Sequence, residues 1–114
     1  MPGTYSQLLL HIVFSTKSRR AWIVPDVADR LYEYIGGIVR AERGVVYGIG
    51  GVADHVHLLL RWRPDGSVSD LMRTVKARSS RWVHETYPAM REFAWQEGYA
   101  AFAVSKSREE AVKR

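Results

Sequence analysis

Residues 45–61 read VVYGIGGVADHVHLLLR, and their pattern decides the architecture. Two apolar segments, Val45 to Val52 and His55 to Arg61, flank the pair Ala53 and Asp54, a spacing that suits two antiparallel strands joined by a tight turn. Gly48, Gly50 and Gly51 make the first of these strands soft. Toward the N-terminus, apolar residues at Val27, Leu31, Tyr34, Ile35, Ile38 and Val39 keep to one face of a helix from Pro25 to Arg43, with Gly44 as its stop. Gly36 and Gly37 cost that helix roughly 1 kcal/mol each against alanine, so something is expected to pack closely there. Before it, Tyr5 to Thr16 (YSQLLLHIVFST) is rich in β-branched and aromatic types and predicts a buried first strand.

Toward the C-terminus, the turn Arg63-Pro64-Asp65-Gly66 leads into a helix from about Ser69 to Thr86, which carries Leu71, Met72, Val75, Trp82 and Val83 on one face and ends before Pro88. Gly98 to Val104 predicts a fourth strand. The order strand, helix, strand, strand, helix, strand is the split βαβ pattern. It predicts an α+β, ferredoxin-like βαββαβ sandwich, RRM-like in order, with a four-stranded antiparallel sheet carrying both helices on one face. Ser107-Arg108-Glu109-Glu110 is a capping-box signature for a further helix, whose end is expected to be missing at Arg114.

The 114 residues, 46% of them hydrophobic, suffice for one core and not for two, so residues 1–114 are expected to form a single domain. A formal net charge of +5 favours a polyanionic partner such as nucleic acid. The absence of cysteine excludes both a disulfide framework and a thiolate metal site. No apolar run is long enough to span a bilayer, and the N-terminus lacks a signal-peptide pattern, so a cytoplasmic protein with no membrane partner is expected.

Within the third strand, His55 and His57 point the same way because side chains alternate, while Val56, Leu58 and Leu60 face the core. A rise of about 3.3 Å per residue puts the two α-carbons roughly 6.5 Å apart, close enough for both rings to converge on one divalent ion. Asp54 is the nearest candidate third ligand by sequence. Basic residues form a second constellation. Arg73, Lys76, Arg78 and Arg81 lie on or beside the polar face of the second helix, and Lys17, Arg19 and Arg20 follow the first strand; both groups suit phosphate contacts. Phe93 and Trp95 lead into the last strand, and core packing is the expected role of both.

These residues resemble a known family, the single-tyrosine HUH transposases of the insertion-sequence 200/605 group (IS200-like). The resemblance rests on HIVFSTK at residues 11–17, DHVHLL at 54–59, VKARSS at 75–80 and WQEGY at 95–99, in the family's order. It implies a homodimer that binds imperfect hairpins in single-stranded DNA and cleaves and rejoins strands. A tyrosine is the nucleophile there, and a Mg²⁺ or Mn²⁺ ion held by the two histidines stabilises developing charge. Carried over, His55 and His57 are the metal ligands and catalytic residues, and Lys17, Arg19, Arg20, Arg73, Lys76, Arg78 and Arg81 bind the nucleic acid. In the family the nucleophile and a metal-binding glutamine follow on the C-terminal helix. Both are expected beyond Arg114, so cleavage by this chain is not expected, and Tyr99 belongs to the strand-entry motif and not to the chemistry. A rival reading is a non-catalytic DNA- or RNA-binding module of the same fold, which predicts stacking aromatics on the central strands.

Overall fold

The computed structural model describes residues 8–104. Six main elements follow in order: β1 (Leu8–Ser15), α1 (Pro25–Ala41), β2 (Val45–Val52), β3 (His55–Trp62), α2 (Val68–Thr86) and β4 (Ala100–Ala103). Single 3₁₀ turns occupy Lys17–Arg19 and Pro88–Met90. The expected start of the first strand at Tyr5 and the capped helix after Ser107 lie outside the described residues.

The strands form one antiparallel sheet in the order β2-β3-β1-β4. β3 is thus inserted between β2 and β1, as the split βαβ pattern requires. Both helices cover the same face. Leu10, Ile12 and Phe14 of β1, with Val56, Leu58, Leu60 and Trp62 of β3, pack against Val27, Leu31, Ile35, Ile38 and Val39 of α1 and against Leu71, Met72, Val75 and Val83 of α2. Each aliphatic side chain buried in this way contributes on the order of 1.5–3 kcal/mol, so the period-2 strands and period-3.6 helices stabilise one another through a shared interior.

Local chemistry explains where the elements differ from the sequence-based expectation. α1 ends at Ala41, and the left-handed residue after it is Arg43 (φ 69°), not Gly44. Gly44 matters for packing instead. A β-carbon there would sit 2.8 Å from Val39 Cγ1 and 3.1 Å from the Trp62 ring. α2 begins one residue earlier than expected, because the Ser67 hydroxyl accepts from the Asp70 amide at 3.1 Å and so caps the helix. Trp82 is only half-buried and stacks on Tyr34 of α1 with ring centroids 5.1 Å apart, while the polar Ser79 is buried in α2 along with Val75 and Val83.

β2 departs most from simple alternation. Val46 pairs with Leu60 and Ile49 with Leu58, and a register shift between Val46 and Gly48 inserts Tyr47 as an extra residue. The bulge keeps both Val46 and Ile49 against the core although they are three residues apart. None of the described helices is long and apolar enough to cross a membrane.

Candidate functional site

Core packing creates the site on the opposite face of the sheet. Val56, Leu58 and Leu60 are fully buried against the helices, so alternation turns His55 and His57 outward. Their rings lie side by side with centroids 5.0 Å apart and planes at 65°. The two histidines thus stand together as the sequence predicts.

The turn before them is tightly constructed. The Asp54 carbonyl accepts from the Thr16 amide at 2.9 Å and from its hydroxyl at 3.2 Å, which ties the β2–β3 turn to the end of β1. Gly51 closes the other side with φ 153°. A β-carbon at that position would meet the His55 carbonyl oxygen at 2.2 Å, so only glycine lets β2 approach the backbone of the first histidine.

Asp54 does not point away from its neighbour. His55 Nδ1 donates to Asp54 Oδ1 at 2.8 Å, and Arg19 Nη1 lies 3.8 Å from the other carboxylate oxygen. The hydrogen bond from His55, assisted by the Arg19 charge, holds the Asp54 carboxyl below its ordinary range. With its near oxygen engaged, Asp54 orients His55. Among the described residues, no group of three or more His, Asp or Glu side chains has the arrangement of a metal site. His55 and His57 therefore stand as a pair of outward-facing imidazoles, with Asp54 hydrogen-bonded to the first.

A residue that the sequence reading did not assign to the site completes this cluster. Leu10 and Ile12 face the core, so His11 of β1 faces outward, and its Nε2 lies 2.9 Å from His57 Nδ1. The two rings are nearly parallel, with centroids 5.1 Å apart. Burial pushes the His57 imidazole below its ordinary value, and the neighbouring His11 and His55 push in the same direction. These causes favour the neutral form of His57, the form that offers a lone pair. The period-2 pattern already turned His11 outward. Its meeting with His57 depends on the register His11↔Leu59 and Val13↔His57, which makes the two histidines diagonal neighbours and which only strand pairing supplies.

Arg19, His55 and His57 line a depression of about 320 Å³ together with Glu97 and Tyr99. Tyr99 thus lines the same depression as the two histidines, although the strand-entry motif gave no sign of this. The basic residues divide into separate groups. Lys17, Arg73 and Lys76 line a cleft of about 840 Å³ between α2 and residues 94–99, together with Ser80, Trp95 and Tyr99. Tyr99 borders both hollows, so they adjoin. Arg78 belongs elsewhere, beside Arg30, Tyr34 and Trp82 in the groove between the helices. Arg20 pairs with Glu92 at 3.5 Å and lies over the Trp22 ring, and Arg81 pairs with Glu85 at 3.5 Å.

Lys76 differs from the other cations. Its ammonium donates to the carbonyls of Gln96, at 2.7 Å, and of Gly98, and burial pushes its pKa down. It anchors residues 96–98 against α2. Ser79 does the same one turn later, accepting from Trp95 Nε1 at 2.9 Å while donating to the Val75 carbonyl. Trp95 also packs edge-on against Phe14 and Phe93, in keeping with the core role expected of Phe93 and Trp95.

Comparisons with known proteins bear on the family and the fold. A family model described as "Transposase IS200 like" matches residues 4–114. The ISDra2 transposase TnpA of Deinococcus radiodurans is 27% identical over 98% of this chain and 84% of its own length. The transposase for insertion sequence element IS200 of Salmonella typhimurium is 29% identical over 85% of this chain and 67% of its own. Among solved structures, a candidate transposase from Deinococcus radiodurans superposes with a TM-score of 0.85 at 24% identity, covering 99% of this chain and 91% of that one. A REP-associated tyrosine transposase bound to a REP hairpin gives a TM-score of 0.70 at 13% identity, over 94% of this chain and 62% of that one.

Proposed function

Since the chain belongs to the IS200-like transposase family, we propose that it binds hairpins of single-stranded DNA as a homodimer and presents a phosphodiester to a divalent ion held by His55 and His57. The observation that carries this reading is the pair of outward-facing histidines in a depression that adjoins the basic cleft of Lys17, Arg73 and Lys76. A hairpin backbone in the cleft brings the following single strand past the histidines without crossing the core. The solved relative that holds a REP hairpin on the same fold supports the choice of ligand.

The residues present suit Mg²⁺ or Mn²⁺, supplying two imidazoles and leaving room for oxygen ligands from phosphate and water. When bound there, the ion supplies Lewis-acid stabilisation of charge on the phosphate. The chain's own contributions are distinct. Lys17 and Arg73 neutralise backbone phosphates, Arg19 adds positive charge beside the scissile group, and Asp54 holds the His55 ring in place. Strand cleavage also needs a tyrosine nucleophile, which the family resemblance puts on the C-terminal helix, outside the described residues. Tyr99 is a described tyrosine that lines the same depression as the two histidines.

The test is to incubate the protein with a labelled single-stranded hairpin and Mn²⁺, with denaturing and native gels run in parallel and a matched RNA hairpin as comparison. A native-gel shift preferring DNA is expected. Equal or tighter binding of the RNA would overturn the assignment and favour the RNA-binding reading. A covalent adduct on the denaturing gel that Tyr99→Phe abolishes would move the nucleophile to Tyr99.

A further inference from the structure

We propose that His11 is a positioning residue for the candidate metal site, fixing His57 through its Nδ1 so that Nε2 is the atom presented to an ion. The inference rests on the reading of His55 and His57 as metal ligands. Both rings are held at the same atom, His55 Nδ1 by Asp54 Oδ1 at 2.8 Å and His57 Nδ1 by His11 Nε2 at 2.9 Å. Coordination therefore falls to the two Nε2 atoms.

Proton placement makes the two supports unequal. A carboxylate only accepts, so the proton between Asp54 and His55 belongs to His55 Nδ1, and its Nε2 lone pair is free in the neutral ring. The His11–His57 bond has two tautomeric forms. If His11 Nε2 donates, His57 carries its own proton on Nε2 and cannot ligate. If His57 Nδ1 donates to His11 Nε2, the His57 Nε2 lone pair is available. His11 as acceptor thus defines the binding-competent form of its neighbour, much as carboxylates and carbonyls orient metal-bound histidines elsewhere. The near-parallel stacking of the two rings, with planes at 24°, also limits rotation of His57 about χ2.

Binding of Mn²⁺ to the whole chain, followed by the electron paramagnetic resonance signal of the free ion, tests this without any DNA cleavage. His11→Phe keeps an aromatic ring beside Phe102 and Leu59 but removes the acceptor. It is expected to weaken Mn²⁺ binding about 10- to 100-fold with an unchanged thermal midpoint. His11→Leu carries the same expectation as a second acceptor-free variant. His11→Gln, whose amide oxygen can accept from His57 Nδ1, is expected to restore most of the affinity. Wild-type affinity in both acceptor-free variants would overturn the inference, as would a glutamine variant no better than phenylalanine. Absence of Mn²⁺ uptake by the wild-type protein would instead sink the metal-site reading and this inference with it.

Discussion

Ser79 shows at the scale of one residue why a polar side chain belongs inside α2. Its hydroxyl donates back to the Val75 carbonyl and accepts from Trp95 Nε1, so one small group satisfies the N–H of a half-buried indole. Ser79→Ala is expected to cost about 1–3 kcal/mol, because the Trp95 N–H then loses its acceptor. An unchanged urea midpoint would show that water replaces the hydroxyl. Gly51 is the other residue with no substitute. Gly51→Ala would drive a β-carbon into the His55 carbonyl and is expected to destabilise by more than about 1 kcal/mol, with amide shifts spreading to His55 and His57. Wild-type stability and spectra for that variant would show that the hairpin relaxes.

Among the elements, α1 separates two glycines that look alike in sequence. Gly36 is buried, and a β-carbon there would meet the Arg40 guanidinium at 3.2 Å and Ile49 Cδ1 at 3.5 Å, whereas Gly37 has nothing within 4 Å. Close packing is therefore the reason for one and not for the other. Gly37→Ala is expected to stabilise the fold by about 0.5–1 kcal/mol through helix propensity alone, while Gly36→Ala gains less. Thermal denaturation of the two variants checks the order, and a larger gain at Gly36 would contradict the packing argument. α2 in turn holds the approach to β4. Lys76→Met removes the donor shared by the Gln96 and Gly98 carbonyls, and faster hydrogen exchange over residues 96–99 is the expected result.

Electrostatic placement decides binding on the scale of the whole molecule, and the net charge of +5 says nothing about where the charge lies. Lys17 and Arg73 share the cleft beside the histidines, whereas Arg78 stands in the groove between the helices. Lys17→Ala and Arg73→Ala are each expected to weaken hairpin binding and reduce the log–log salt slope by about 0.7–0.9, the value for one phosphate contact. Arg78→Ala is expected to leave the slope nearly unchanged. A larger effect at Arg78 than at Arg73, measured by binding at several salt concentrations, would move the DNA path to the other groove.

The element order, the fold class and the outward pair His55 and His57 are legible in the sequence, because alternation and helical periodicity act within a few residues of the chain. The same local rules put Val56, Leu58 and Leu60 in the core and Lys17 and Arg73 on the surface. Which strands lie side by side, and in what register, follows from the folded structure. It therefore also decided that His11 meets His57, that Asp54 orients His55, that Trp95 reaches Ser79, and that seven basic residues divide among different surfaces. Side chains 46 positions apart, such as His11 and His57, meet through backbone pairing between strands, and no periodicity within one segment encodes that partner.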